Sequence, residues 1–100
     1  MLKHVILWKL DSKLSEVEKE KIKTDAKREL EALVGLVPGL ISMSVAINGI
    51  ESSNADMMLD STLEDIEALN VYSVHPEHVR VADDFIRPYT TERLCLDYII

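Results

Sequence analysis

The run Leu2–Leu10 alternates without a break: Leu2, His4, Ile6, Trp8 and Leu10 fall on one face of an extended chain, and Lys3, Val5, Leu7 and Lys9 on the other. Side chains along a strand point to opposite faces with a period of two. Apolar residues occur in both sets, so the pattern predicts a strand covered on both sides. His4 shares its face with Ile6 and Trp8 and is therefore an inward-facing polar residue. A chain that begins this way must supply strand partners, and cover for two sheet faces, from its remaining ninety or so residues.

Ser15–Glu18 matches a capping box, in which the serine takes an orphan amide and the glutamate reaches back to the cap. The helix behind it places Ile22, Ala26, Leu30, Leu33 and Val34 on one stripe and leaves a Glu/Lys-rich remainder for solvent. Gly35 stands where a helix-ending glycine is expected, and Pro38-Gly39 makes a turn. Leu40–Ile47 reads as a second strand leaving through Asn48-Gly49, and Ala55–Asp60 as a third that pairs with it as a hairpin.

Ser61–Glu64 reads as a second capping box, heading a helix with Leu63, Ile66 and Leu69 on its stripe and reaching Tyr72. Pro76 disfavours helical geometry at His75 and suits the first position of a new helix, so a break is expected at Val74–His75. The second segment is expected to run from Pro76 to about Arg87, burying Val79, Ala82, Phe85 and Ile86, with Pro88 as its stop. Leu94–Ile100 is a last alternating strand, with Leu94, Leu96, Tyr98 and Ile100 on one face.

The order β-α-β-β-α-β is the ferredoxin-like plan, an α+β fold with a four-stranded antiparallel sheet and helices on one face. Here the second helix is broken at His75-Pro76. Helices cover one sheet face, yet His4, Ile6, Trp8, Leu94 and Leu96 imply a second apolar face, which is not normally left in water. A homodimer packed sheet to sheet, closing an α+β barrel with a shared interior, is the expected remedy.

The remaining totals bound the function. One hundred residues make one domain, 1–100, with an adequate but not generous core. A net charge of −7 argues against nucleic acid and against anionic membrane surfaces as partners. Cys95 is the only cysteine, so no intrachain disulfide forms, and its place between Leu94 and Leu96 fits a small strand hydrophobe. Lys9 interrupts the first apolar run before a signal-peptide core develops, and no apolar stretch is long enough to span a bilayer. A cytoplasmic location is expected.

The stretch most open to a chemical reading is YSVHPEH, residues 72–78, which holds two of the three histidines. Its structural reading is a helix junction, with His75 filling the kink and Tyr72 extending an apolar stripe. His75 and His78 with Glu77 or His4 offer three metal-ligating groups, but that spacing across a proline is not a zinc signature, so no metal is expected. There is neither a Gly-rich phosphate loop nor a Gly-x-Ser-x-Gly elbow.

The opening KHVILWKL, the LVPGL turn, the run ADMMLDSTLEDIEALNVYSVHPEHV and the closing LDY, in that order, resemble the stress-responsive α/β-barrel (Dabb) domain family. The resemblance covers nearly the whole chain, and Tyr72-x-x-His75-Pro76-x-His78 is its most specific piece. It implies a ferredoxin-like fold that dimerises into an α+β barrel. The family includes a plant polyketide cyclase that promotes an intramolecular aldol condensation without a cofactor. Its acting tyrosine and histidine would fall on Tyr72 and His78, with His4 lining the same cavity. The chain departs from the family at Ala55 and Ser61, where members commonly carry aromatics, and Trp8 puts a large ring on the cavity face of the first strand.

The resemblance implies two functions. The first is a homodimeric module, ligand-binding or stress-associated, enclosing an apolar cavity lined by His4, Ile6, Trp8 and His75. The second is a cofactor-independent acid/base enzyme, of cyclase or isomerase type, in which His78 takes a proton next to a carbonyl and Tyr72 donates to the enolate oxygen. Neither needs a cofactor. The helix N-terminus at Pro76 disfavours charge on His78 while Glu77 favours it, so its protonation is not fixed by sequence.

Overall fold

Ser15 caps the first helix as its spacing to Glu18 predicts. In a computed structural model describing Met1–Ile100, Glu18 N–H donates to Ser15 Oγ at 3.1 Å and Ser15 N–H donates to the Glu18 carboxylate at 2.9 Å. The helix α1 spans Glu16–Glu31 and buries Ala26 and Leu30, with Leu33 buried just beyond it. Val34 leaves the predicted stripe: the helix has ended at Ala32, and the chain is already turning toward Gly35, whose φ of +93° suits glycine.

Four strands, β1 (Leu2–Leu10), β2 (Leu40–Ala46), β3 (Met57–Leu63) and β4 (Thr90–Ile99), form one antiparallel sheet in the order β2-β3-β1-β4. Between β3 and β4 lie α2 (Ile66–Val74) and α3 (Pro76–Val81), then a π-helical turn over Ala82–Ile86 and a 3-10 turn over Arg87–Tyr89. This is the ferredoxin-like arrangement, with its second helix broken at His75-Pro76 as expected. His75 is extended, with φ −63° and ψ 132°, as the residue before a proline prefers. The expected helix to Arg87 ends instead at Val81, and the wider turn after it buries Ala82 and Ile86 beside Val81, while Val79 and Phe85 are only half-buried.

The second capping box does not form. Ser61, Thr62 and Leu63 continue the β3 ladder against β1, where His4 faces Ser61 and Leu2 faces Leu63. Ser61 Oγ donates to the His4 carbonyl at 2.8 Å, so this buried hydroxyl is satisfied across the sheet and has no amide to cap. The helix cap is Asp65, which accepts from Ala68 N–H at 2.8 Å. Leu63 is consequently a strand residue and Ile66 is exposed, while Ala68 and Tyr72 carry the buried side of α2. The third strand is likewise displaced from Ala55–Asp60: Asp56 donates its N–H to the Trp8 carbonyl at 2.9 Å and accepts from Leu10 N–H at 2.7 Å on its side chain, closing the end of β1 just ahead of Met57.

The register also corrects the assignment of faces. Val5 pairs with Leu96 and Leu7 with Leu94, so those leucines share the helix-free face with Val5 and Leu7. His4, Ile6 and Trp8 lie on the opposite face, under the helices, each about 5% exposed. Leu94 and Leu96 are 70% and 64% exposed, and Met58 and Tyr98 are exposed beside them. The core fills the inner face: Leu59 and Leu63 of β3 and Val45 of β2 pack with Leu30, Leu33 and Val81.

Candidate active site

The break at His75-Pro76 brings the end of one helix and the start of the next together. Tyr72 sits on the last full turn of α2, almost wholly buried, and His78 on the first turn of α3. Their rings lie 4.1 Å apart, centroid to centroid, tilted by 36°. His4 reaches up from β1 and meets Tyr72 edge-on at 5.8 Å. Three elements thus contribute to one row of rings, His4–Tyr72–His78.

The row borders a cleft of about 360 Å³ between the sheet and the helices, lined also by Ile6, Trp8, Ser73, Ala82, Ile86, Arg87, Thr90 and Arg93. The cleft lies on the helix-covered side of a single chain, not on the sheet face expected to be shared with a second copy. Its lining is also mixed, five of eleven residues being hydrophobic, where an apolar cavity was expected. His75 does not line it. Its Nδ1 accepts from Glu77 N–H at 3.1 Å, so the ring caps α3 and is turned to the backbone.

His78 Nδ1 lies 3.3 Å from the Ser73 carbonyl. A carbonyl only accepts, so Nδ1 carries the proton and the Nε2 lone pair is free. Burial lowers the pKa of His78 below the ordinary 6.5, the Ser73 contact opposes this, and the Arg87, His4 and Arg93 charges add to the lowering. The sign left open by the sequence is therefore set by burial, and the ring is neutral at pH 7. Burial raises the Tyr72 phenol well above its ordinary value of 10.0, against a small opposing effect of Arg93, so it remains a proton donor. A neutral imidazole beside a protonated phenol is a base next to a hydrogen-bond donor.

The last strand supplies groups that the YSVHPEH motif does not reveal. Asp97 faces His4 across the β1–β4 pair and accepts from His4 Nδ1–H. That bond fixes the imidazole's orientation. Cys95 donates to the same carboxylate at 3.5 Å. Partial burial, then the Asp97 charge and hydrogen bond, raise the thiol's pKa, which disfavours the thiolate. Arg93 stands opposite Trp8 and enters the cleft lining. The signal was present: Arg93, Cys95 and Asp97 alternate with Leu94, Leu96 and Tyr98, so the second parity of the strand is polar and points inward.

His4, Cys95 and Asp97 are also the one set of metal-ligating side chains that converges, their ligand atoms within 4.8 Å of one another. His4 and Cys95 already hydrogen-bond to Asp97, which accounts for the cluster without an ion. The set considered from sequence, around His75 and His78, is not assembled, because His75 is committed to its cap.

The family model of the stress responsive A/B barrel domain (Dabb) matches residues 2–100. Among solved structures, a dimeric protein of unknown function with a ferredoxin-like fold from Bacteroides fragilis is 25% identical, with a TM-score of 0.93 over 99% of this chain and 95% of that one. An Arabidopsis thaliana protein is 25% identical, with a TM-score of 0.77 over 100% of this chain and 95% of that one. A hydroxynitrile lyase from Passiflora edulis shares the fold at 17% identity, with a TM-score of 0.74 over 99% and 92% of the two chains. No curated protein matches the chain in sequence. No helix is long and apolar enough to cross a membrane.

Proposed function

The chain belongs to the stress-responsive A/B barrel (Dabb) family, and from that premise we propose that its cleft binds a small carbonyl compound and moves a proton on it. The observation that carries this reading is the Tyr72–His78 pair, 4.1 Å apart, with the Nε2 lone pair of His78 free and its ring neutral at pH 7. In this reading Nε2 takes a proton from the carbon next to the carbonyl. The Tyr72 hydroxyl donates to the oxygen on which charge develops. His4, held by Asp97, lines the same cleft and fixes the ligand's other side. The mixed lining supports a polar ligand better than a purely apolar one. The solved Passiflora edulis neighbour is a lyase, but at 17% identity it supports the fold alone.

Self-association is part of the proposal. The dimeric solved neighbours support it. The exposed Leu94, Leu96, Leu7 and Met58 on the helix-free face are the surface a second copy would cover. Each copy would then keep its own cleft on the far side of its sheet.

The test is proton exchange into D₂O, followed by NMR, on a panel of small ketones, aldehydes and 2-oxo acids. Wild type is expected to accelerate exchange on at least one compound. Tyr72→Phe and His78→Ala should each lower that rate by about 100-fold or more while the fold is retained by circular dichroism. If no compound exchanges and the substitutions alter only ligand affinity, the cleft binds without catalysing.

A further inference from the structure

The chain carries a net charge of −7, with 18 acidic side chains against 11 lysines and arginines. The cleft reverses that balance. Arg87 and Arg93 line it beside the rings of His4 and the neutral His78, and not one of the 18 carboxylates does. Two acids bond to lining residues from outside it: Asp97 accepts from His4, and Asp83 pairs with Arg87 four residues away. Arg93 makes no ion pair within the chain, whereas Arg28, Arg80 and Arg87 all do. Its guanidinium stands at the edge strand beside Trp8, with donors in a fork that matches a carboxylate or a phosphate. A positive recess on a negative protein also concentrates anions from solution.

We infer that the ligand of this cleft is an anion, a small carbonyl compound bearing a carboxylate or phosphate group, and that Arg93 anchors that group. This rests on the proton-transfer reading and names its substrate class. With the anionic end held by Arg93 at the sheet edge, the carbonyl end lies toward Tyr72 and His78. An anion also fits the absence of acidic lining, since a carboxylate beside Arg93 would neutralise the one free guanidinium there. Arg87, already paired with Asp83, contributes field more than a direct contact.

The test compares phenylpyruvate, its methyl ester and phenyl phosphate as ligands of wild type and Arg93→Gln, by isothermal titration at low salt. Phenylpyruvate or phenyl phosphate should bind wild type about tenfold or more tightly than the uncharged ester, the scale of a charge-assisted hydrogen-bonded pair. Arg93→Gln should abolish that preference by weakening the anions far more than the ester, and added salt should shrink the preference in wild type. Tighter phenylpyruvate assigns a carboxylate, and tighter phenyl phosphate assigns a phosphate. Equal binding of ester and anions, failure of both anions to bind wild type, or a preference that survives Arg93→Gln overturns the inference. Proton exchange on the ester separates the two claims: if Tyr72→Phe abolishes it while no anion preference exists, the anionic ligand falls and the proton-transfer reading stands. An anion preference without any exchange has the opposite meaning.

Discussion

The two faces of β1 differ sharply in burial. Leu2, His4, Ile6, Trp8 and Leu10 are buried under the helices, and Leu7 and Lys9 one residue away are exposed. The inner face gathers the titratable rings, and the outer face is a plain apolar patch crossed by the Lys3–Asp60 ion pair at 2.6 Å. In the proposed reading a single strand therefore serves two tasks, chemistry on one side and association on the other. Separating them by parity lets a dimer form without burying the cleft.

The largest effects test the inner face. Leu59 is fully buried in the core on the helix-covered face of the sheet, so Leu59→Ala should lose about 2–5 kcal/mol in urea unfolding. The loss should be the same at every protein concentration if it reflects the core of one chain. A loss that vanishes as protein concentration rises would instead tie Leu59 to the interface.

Next comes the outer face. Leu94→Asp with Leu96→Asp should weaken self-association by roughly 100-fold, the scale of losing interface hot spots. Sedimentation would read this as a shift to monomer. The cleft and its ligand affinity should survive the change. If the double variant remains a dimer, the patch is not the interface, and the division of labour between the faces fails.

A smaller effect sharpens the inner face further. Because burial lowers the folded-state pKa of His78 below 6.5, the unfolded chain binds a proton more readily. The stability from keeping His78 neutral is fully present above about pH 6.5 and is lost as pH falls from there through the lower, folded-state value. His78→Ala should flatten that part of the stability–pH curve. An unchanged slope would mean that another group sets it.

These residues also mark what a sequence can disclose. The β-α-β-β-α-β order was legible because each signal was local: the alternation of Leu2–Leu10, the Ser15–Glu18 box and the His75-Pro76 break act within a few residues. The Ser61–Glu64 box failed because a competing partner, the His4 carbonyl, lies 57 residues away in sequence. The faces were mixed for the same reason. Periodicity gives the phase of each strand, but only the register, Val5 to Leu96 and His4 to Asp97, relates one phase to the other. Tyr72 and His78 came from the family resemblance, and their meeting is local because a single broken helix carries both. Asp97 and Arg93 were not, since a strand closing from the far end of the chain delivers them.

The decisive experiment is an NMR titration of His78 with ¹⁵N detection of its tautomer, in wild type and in Tyr72→Phe. His78 should titrate below 6.5, carry its proton on Nδ1 when neutral, and shift its titration when the Tyr72 hydroxyl is removed. Titration at or above 6.5, indifferent to Tyr72, would contradict the pairing of base and donor and leave the YSVHPEH segment as a helix junction.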